Sequence, residues 1–191
     1  MNTKDVILSR RSCRKYQSKD VPKEIMDDII LAGRSAPTGL NRQSIKFYVI
    51  HNNVEKVKSL GLKVYDNRAK AGKAGGWMDE IKEKLGISDP VFYEAPCIIA
   101  LVGDKNPNGI QSHMTDAGIA CQNIINMATY YGLGTVPIGI ANFLNQEAVL
   151  EGIGADKNKE DLLLVISMGY PDEKWKDFVQ PKELKSFVKY V

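Results

Sequence analysis

The sequence is short of the residues that most often announce a function. It has three cysteines, Cys13, Cys97 and Cys121, an odd number with no C-x-x-C spacing. That pattern gives no disulfide framework and reads as free thiols in a reducing compartment. Its two histidines, His51 and His113, have no cysteine or histidine nearby at ligand spacing, so no structural zinc site is expected. No apolar run is long enough to span a bilayer. The start, MNTKDVILSR, lacks the apolar segment of a signal peptide, and the default expectation is a cytoplasmic protein with no membrane partner. A G-x-G-x-x-G dinucleotide fingerprint is missing, as are internal repeats and low-complexity linkers. No nucleophile–histidine–carboxylate set or paired catalytic carboxylates stand out. An excess of one charge is lacking too: 26 Lys+Arg are offset by 23 Asp+Glu, leaving +3, which argues against a dedicated nucleic-acid binder.

What is present is an ordinary core-forming composition, 43% hydrophobic and 26% charged over 191 residues, enough for one substantial core rather than two. A short first helix is expected after Asn2 or Thr3 as N-cap. RSCRKYQSKDVP reads as extended chain. PKEIMDDIILAGR reads as a helix with Ile25, Ile29 and Ala32 on one face, ended by Gly33 and Pro37. SIKFYVIH is a strand and NVEKVKSLGLKVY a helix. The glycine- and lysine-rich stretch from 66 to 90 reads as a loop or mobile excursion. APCIIALVGD and DLLLVISMGYP are apolar runs of buried-strand length. The clearest helix is TDAGIACQNIINMATYYG, with Ala120, Ile124, Met127 and Tyr131 in helical spacing and small residues in its early turns. LNQEAVLEGIG is a short helix. PKELKSFVKYV opens with a helix signal. Helices and strands alternate without regular βαβ units, so an α+β sandwich around a mixed sheet is expected.

Three stretches could carry chemistry. In RRSCR, extended chain would put Arg10, Ser12 and Arg14 on one side and Arg11 and Cys13 on the other. Two guanidinium forks and a hydroxyl suit a phosphate or delocalised anion. The same residues also make a solvated helix end, with Arg10 and Arg11 near a helix C-terminus, and alone they lean slightly that way. SAPTGLNRQ, residues 35–43, offers Pro37, Thr38, Gly39, Asn41 and Gln43 as a polar ligand rim or as a well-formed turn. GLGTVPIGIAN, residues 132–142, is either a helix-to-strand connection, the favoured reading, or backbone that approaches something flat.

Taken in order, RRSCRKY, SAPTGLNRQ, DAGIACQNIINMATYYGLGTVPIG and MGYP resemble the FMN-dependent nitroreductase family. The resemblance covers most of the chain and is weakest from about 60 to 91. It implies a single domain over 1–191, with a mobile or inserted segment near 66–90. The implied fold is an α+β three-layer sandwich, a mixed, mostly antiparallel sheet flanked by helices, in a homodimer with FMN at the subunit interface. The long small-residue helix would be central to that dimer.

By position, Arg10 and Ser12, helped by Arg11, would hold the FMN phosphate and ribityl chain. Arg14 would lie at the pyrimidine edge, where a fixed cation favours the charge that arrives with a hydride. Thr38, Asn41 and Gln43, with Pro37 and Gly39, would come from the partner. Pro137, Ile138 and Gly139 would pack along the ring, with a backbone N–H from Gly139 or Ile140 facing N5. Lys182 would reach the phosphate. Two departures stand out: the family's N-x-Q-P-W reads Asn41-Arg42-Gln43-Ser44-Ile45, and Lys182 replaces a usual arginine, keeping charge but losing the fork.

The implied activity is two-electron ping-pong hydride transfer from NADH or NADPH to a small-molecule acceptor such as a nitroaromatic or quinone. Flavin, enone and dehalogenating reductases share these motifs. A third possibility is a non-enzymatic basic binding module built on RRSCRK and KAGKAGG.

Overall fold

Among the described residues, four strands form one antiparallel sheet with helices on both faces. The structure, a computed structural model, describes residues 1–70, 76–105, 113–178 and 188–189. In chain order the elements are α1 (Thr3–Ser9), α2 (Lys23–Arg34), β1 (Lys46–Ile50), α3 (Val54–Lys70), α4 (Trp77–Leu85), β2 (Cys97–Asp104), α5 (His113–Tyr130), β3 (Gly134–Ile138), α6 (Ile140–Ile153) and β4 (Glu160–Gly169). The sheet order is β1-β2-β4-β3. The two apolar runs take the inner positions, as continuous hydrophobicity demands when both faces are covered. Every residue of β2 except Asp104 is buried.

Side-chain alternation divides the core. Cys97, Ile99 and Leu101 of β2 face α2 and α5, while Ile98, Ala100 and Val102 face α3, α4 and α6. On α2 the buried face is Met26, Ile29 and Gly33, so the expected Ile25–Ile29–Ala32 stripe is rotated by one residue. Gly33 sets that rotation: a Cβ there would stand 2.8 Å from Ile124 Cγ1 and 3.0 Å from Phe47 Cε1. On α5, Ala120 and Ile124 are buried as expected, with Ala117, Cys121, Ile125 and Ala128, while Met127 and Tyr131 lie at the margin.

Three expectations change. First, the 66–90 stretch is largely helical among its described residues: α3 runs to Lys70, and α4 follows Gly76. In α4, Met78 and Leu85 are buried, Asp79 and Glu80 start the helix, and Lys82 and Lys84 end it, matching the helix dipole. Gly86 closes it at φ 62, its N–H reaching Glu83 O and the next N–H reaching Lys82 O. Second, 134–138 is a strand at the sheet edge, the position where Pro137 removes no ladder hydrogen bond. Third, α6 begins at Ile140, before LNQEAVLEGIG. The sheet is antiparallel throughout its four strands; its parallel character is confined to a bridge between Ser12 and Thr135. The KAGKAGG run lies mostly, and the PKELKSFVKYV tail almost wholly, outside the described residues. Among the described residues, no helix is long and apolar enough to cross a membrane.

Candidate active site

The RRSCR segment runs along the free edge of β3. Cys13 N–H donates to Thr135 O at 2.9 Å, and the Ser12–Thr135 bridge is parallel. The chain therefore leaves Ser12 toward Arg14 in the same direction as β3 runs toward Pro137. Gly134 makes this approach possible: a Cβ there would lie 2.6 Å from Cys13 Cβ and 2.8 Å from its Sγ. Cys13 is buried, and burial pushes its thiol up to about 11, so it packs rather than reacts, as expected.

The three arginines separate. Arg11 Nη1 donates to Leu8 O at 2.8 Å and Arg10 O at 2.9 Å, completing the end of α1. For this residue the helix-end reading holds, and its expected help with a phosphate gets no support from its contacts. Arg10 turns toward α5: burial raises the Cys121 thiol to about 11, and the Arg10 charge partly opposes that rise. Its Nη1 is buried and has no hydrogen-bond partner among the described residues. A guanidinium nitrogen in that state costs free energy unless an anion meets it. Arg14 instead lies over the Tyr93 ring, Cζ 5.9 Å from the centroid. Tyr93 belongs to the core of the α3, α4 and α6 face, whereas Cys121 belongs to the opposite one. The expected single face for Arg10, Ser12 and Arg14 is thus not kept, because beyond the Ser12 bridge the segment is not a regular pleated strand.

Tyr93 is held by a turn that the sequence does not advertise. Asp89 accepts from Val91 N–H at 2.8 Å and Phe92 N–H at 3.1 Å. Ser88 donates to Glu94 Oε1 from both N–H and hydroxyl. These bonds stabilise left-handed backbone at Tyr93 (φ 61) and Glu94 (φ 51), conformations that disfavour side chains. Burial lifts the Asp89 carboxyl to about 6 against its backbone donors. Of the two aromatics here, Phe92 is fully buried core and Tyr93 borders a cavity with Arg14, Trp77 and Trp175.

The 35–43 loop is strained and outward-facing. Leu40, Asn41 and Gln43 all have φ near +50, at 53, 53 and 50. Gly39 N–H donates to the Asp116 carboxylate at 3.2 Å, and Gln43 N–H donates to Thr38 Oγ1 at 3.0 Å. Gln43 Nε2 donates to Asn41 Oδ1 at 3.1 Å. Thr38 and Gln43 also line a 140 Å³ cleft with Gly33 and Ala120. Pro37, Asn41 and Gln43 are exposed, and Leu40 is 77% exposed. Asp116, buried in the first turn of α5, is the residue that sequence reasoning missed; its signal was an acid beside small residues at a helix start.

At the end of β3, Ile138 is buried, Pro137 half-buried and Gly139 exposed. Gly139 has φ −69, and among the described residues an added Cβ would meet nothing within 4 Å. The packing of the described residues therefore does not require a glycine there. Ile140 starts α6, with its side chain outside the described set, and Lys182 lies outside the described residues altogether. Among the described residues no group of three His, Cys, Asp or Glu could hold a metal ion.

Known proteins share this architecture and sequence. The FMN reductase [NAD(P)H] of Bacillus subtilis is 30% identical over 151 residues, covering 75% of this chain and 56% of that protein. This chain thus spans little more than half of that relative's length. The iodotyrosine deiodinase of Thermotoga neapolitana is 23% identical over 176 residues, covering 88% of each. A crystal structure of a nitroreductase with bound FMN from Bacteroides fragilis superposes with a TM-score of 0.80 at 20% identity, covering 100% of this chain and 98% of that one. The model of the Nitroreductase family matches residues 7–170, and the chain belongs to that family.

Proposed function

We propose that this protein is an FMN-dependent NAD(P)H oxidoreductase that reduces electron-poor acceptors such as nitroaromatics and quinones. The observation that carries the reading is the buried, unpartnered Nη1 of Arg10, at the start of a segment held against the sheet edge. A phosphate supplies the acceptor oxygens which that donor lacks. The relative named FMN reductase [NAD(P)H] and the FMN-bound nitroreductase neighbour support the same cofactor and donor.

Bound FMN would supply two-electron chemistry, taking a hydride from NADH or NADPH and passing it to the acceptor. Arg10 and Ser12 bind the phosphate and ribityl end. Arg14, held over Tyr93, would supply a permanent cation to the electron-rich edge of the ring. Pro137, Ile138 and Gly139 give the ring a flat, apolar bed, and the open space at Gly139 leaves the backbone accessible to it. Ile140 can offer a backbone N–H to the ring, and Lys182 a second cation to the phosphate.

Thr38, Asn41 and Gln43 of the partner subunit complete the site in a homodimer. Two features support that arrangement: the outward-facing 35–43 loop, and the exposed apolar residues Ile7, Leu8, Leu31, Met114, Ile119 and Tyr130 on α1, α2 and α5. The exposed Gly118 on α5, where an added Cβ would meet nothing, leaves room for close approach by a second copy.

The RRSCRK part of the basic-module alternative loses support, while its KAGKAGG part lies mostly outside the described residues. Arg10 is partly buried, Arg11 is tied to carbonyls and Arg14 sits over Tyr93, so the segment offers no open cationic face. Reductive dehalogenation stays a second reading because the deiodinase relative aligns over most of both chains. Purification tests the main reading: the protein should be yellow, or become so on adding FMN, and bleach with NADH or NADPH. Bleaching followed by reoxidation with iodotyrosine but not with nitroaromatics or quinones would favour the second.

A further inference from the structure

One cavity lies outside the cofactor-binding set yet shares a wall with it. It has a volume of 340 Å³ and is bordered by Arg14, Trp77, Lys84, Tyr93 and Trp175, with Ile81 and Leu85 of α4 behind them. That size sits near the lower end of small-molecule sites, roughly 300–1,000 Å³, and suits a single substituted ring. The chain has two tryptophans, and both line it.

The two indoles differ: Trp175 is a buried core residue, whereas Trp77 is exposed. Trp77 opens α4 and stays 43% exposed, although a helix start tolerates many smaller residues. Trp175 is held in the short turn after β4 by its backbone N–H, which donates to Asp172 O at 2.9 Å. The floor is Tyr93, whose left-handed backbone is fixed by the Asp89 turn. Lys15 Nζ donates to Leu85 O at 3.0 Å and ties the RRSCR segment to the end of α4. The cavity is therefore held between the arginine-bearing segment and that helix.

Among its described lining residues the charge has one sign. Arg14 and Lys84 are cationic, and none of the described lining residues is a carboxylate. Asp79 of α4 is hydrogen-bonded to the Tyr65 hydroxyl. Lys84 carries three donors, so a contact within the protein still leaves donors for a ligand. Aromatic walls favour a planar π-system, and paired cations favour negative charge on it.

We propose that this cavity recognises the acceptor, and that it selects planar aromatic compounds carrying a carboxylate or sulfonate. The ring packs on Trp77 and Trp175, and the anionic group meets Lys84. The role in turnover rests on the flavin reading through the shared Arg14, but binding does not need the flavin.

The test is a tryptophan-fluorescence titration of the flavin-free protein with 4-nitrobenzoate and its neutral near-isostere 4-nitrobenzamide. Both tryptophans line the cavity, so saturable quenching reports it directly. The carboxylate is expected to bind about tenfold more tightly than the amide, and Lys84→Met to lower that preference about fivefold. Trp77→Ala is expected to weaken both ligands. Lys84 is exposed, so its replacement should not unfold the chain. Absent or non-saturable quenching, or equal affinities that Lys84→Met leaves unchanged, would overturn the proposal. FMN uptake is read separately by visible absorbance: flavin uptake without charge-selective quenching overturns this site alone. Charge-selective quenching without flavin uptake supports it and retires only the flavin reading.

Discussion

Gly134 and Gly139 bracket β3, and the structure predicts opposite consequences for adding one methyl group to each. At Gly134 a Cβ would lie 2.6 Å from Cys13 Cβ, 2.8 Å from Cys13 Sγ and 3.0 Å from Pro171 Cγ. The first partner is bonded directly to backbone and cannot swing aside, so the RRSCR segment must move away from β3. Overpacking of this kind costs about 1–3 kcal/mol, and loss of the Cys13 N–H to Thr135 O bond adds about 1 kcal/mol. Gly134→Ala should thus lose about 2–4 kcal/mol in urea denaturation, roughly 5–15 °C in Tm for a chain of this size. FMN affinity should fall with it, since Arg10 and Ser12 are carried on the displaced segment. Adding Cys13→Ala should not restore stability, because the nearest clash is with Cβ rather than sulfur. At Gly139 the added Cβ meets nothing and φ is −69, so Gly139→Ala should leave stability within about 0.5 kcal/mol. It should nevertheless weaken FMN at least severalfold by intruding on the ring's bed. If Gly134→Ala were as stable as wild type, or Gly139→Ala bound FMN normally, the edge-strand account would be refuted.

Other outcomes follow from the same geometry. Asp116→Ala removes the acceptor that holds Gly39 N–H, so the strained 35–43 loop should relax; faster amide exchange over 38–43 checks this, and unchanged exchange contradicts it. Asp89 is lifted to about 6 from an ordinary 3.8, so the native state binds more protons than the unfolded chain between those values. Its contribution to stability is therefore full below about pH 3.8 and is lost as pH rises through 6, by up to about 3 kcal/mol. Against Asp89→Asn, the wild type should lose relative stability across that window, and a pH-independent difference would refute the assignment. Cys13, Cys97 and Cys121, all buried and raised to about 11, should resist thiol reagents until the protein is denatured.

Much of the fold was legible because long apolar runs and helical spacing dominate it. CIIALVGD and DLLLVISMG could only be inner strands, and the α5 pattern was a helix in any context. α4 was obscured because its flanking glycines drew attention from Met78 and Leu85, two full turns apart. Gly86 was the helix's stop rather than a sign of loop. The face of α2 shifted by one residue because Gly33 lets Ile124 and Phe47 approach, a tertiary fact that periodicity does not carry.

At the site, Cys13 fell inside as expected. The separation of Arg10 from Arg14 was not readable, since it depends on which layer each side chain meets after the Ser12 bridge. The Asp89 turn that holds Tyr93, and Asp116, were missed for a similar reason. Their roles arise from backbone donors brought together at that turn and at the start of α5, not from any spacing in the chain.

The most direct test of the central claim is an equilibrium FMN titration of the wild type and Arg10→Ala, with stability measured alongside. The account predicts uptake of one FMN per chain by the wild type. It predicts at least a tenfold loss of affinity in Arg10→Ala, since a charge-assisted bond to phosphate is worth about 1.5–3 kcal/mol. Without flavin, Arg10→Ala should be as stable as wild type or more so, because it removes a buried donor with no partner. A wild-type protein that takes up no FMN, or an Arg10→Ala protein that binds it as tightly, would contradict the account.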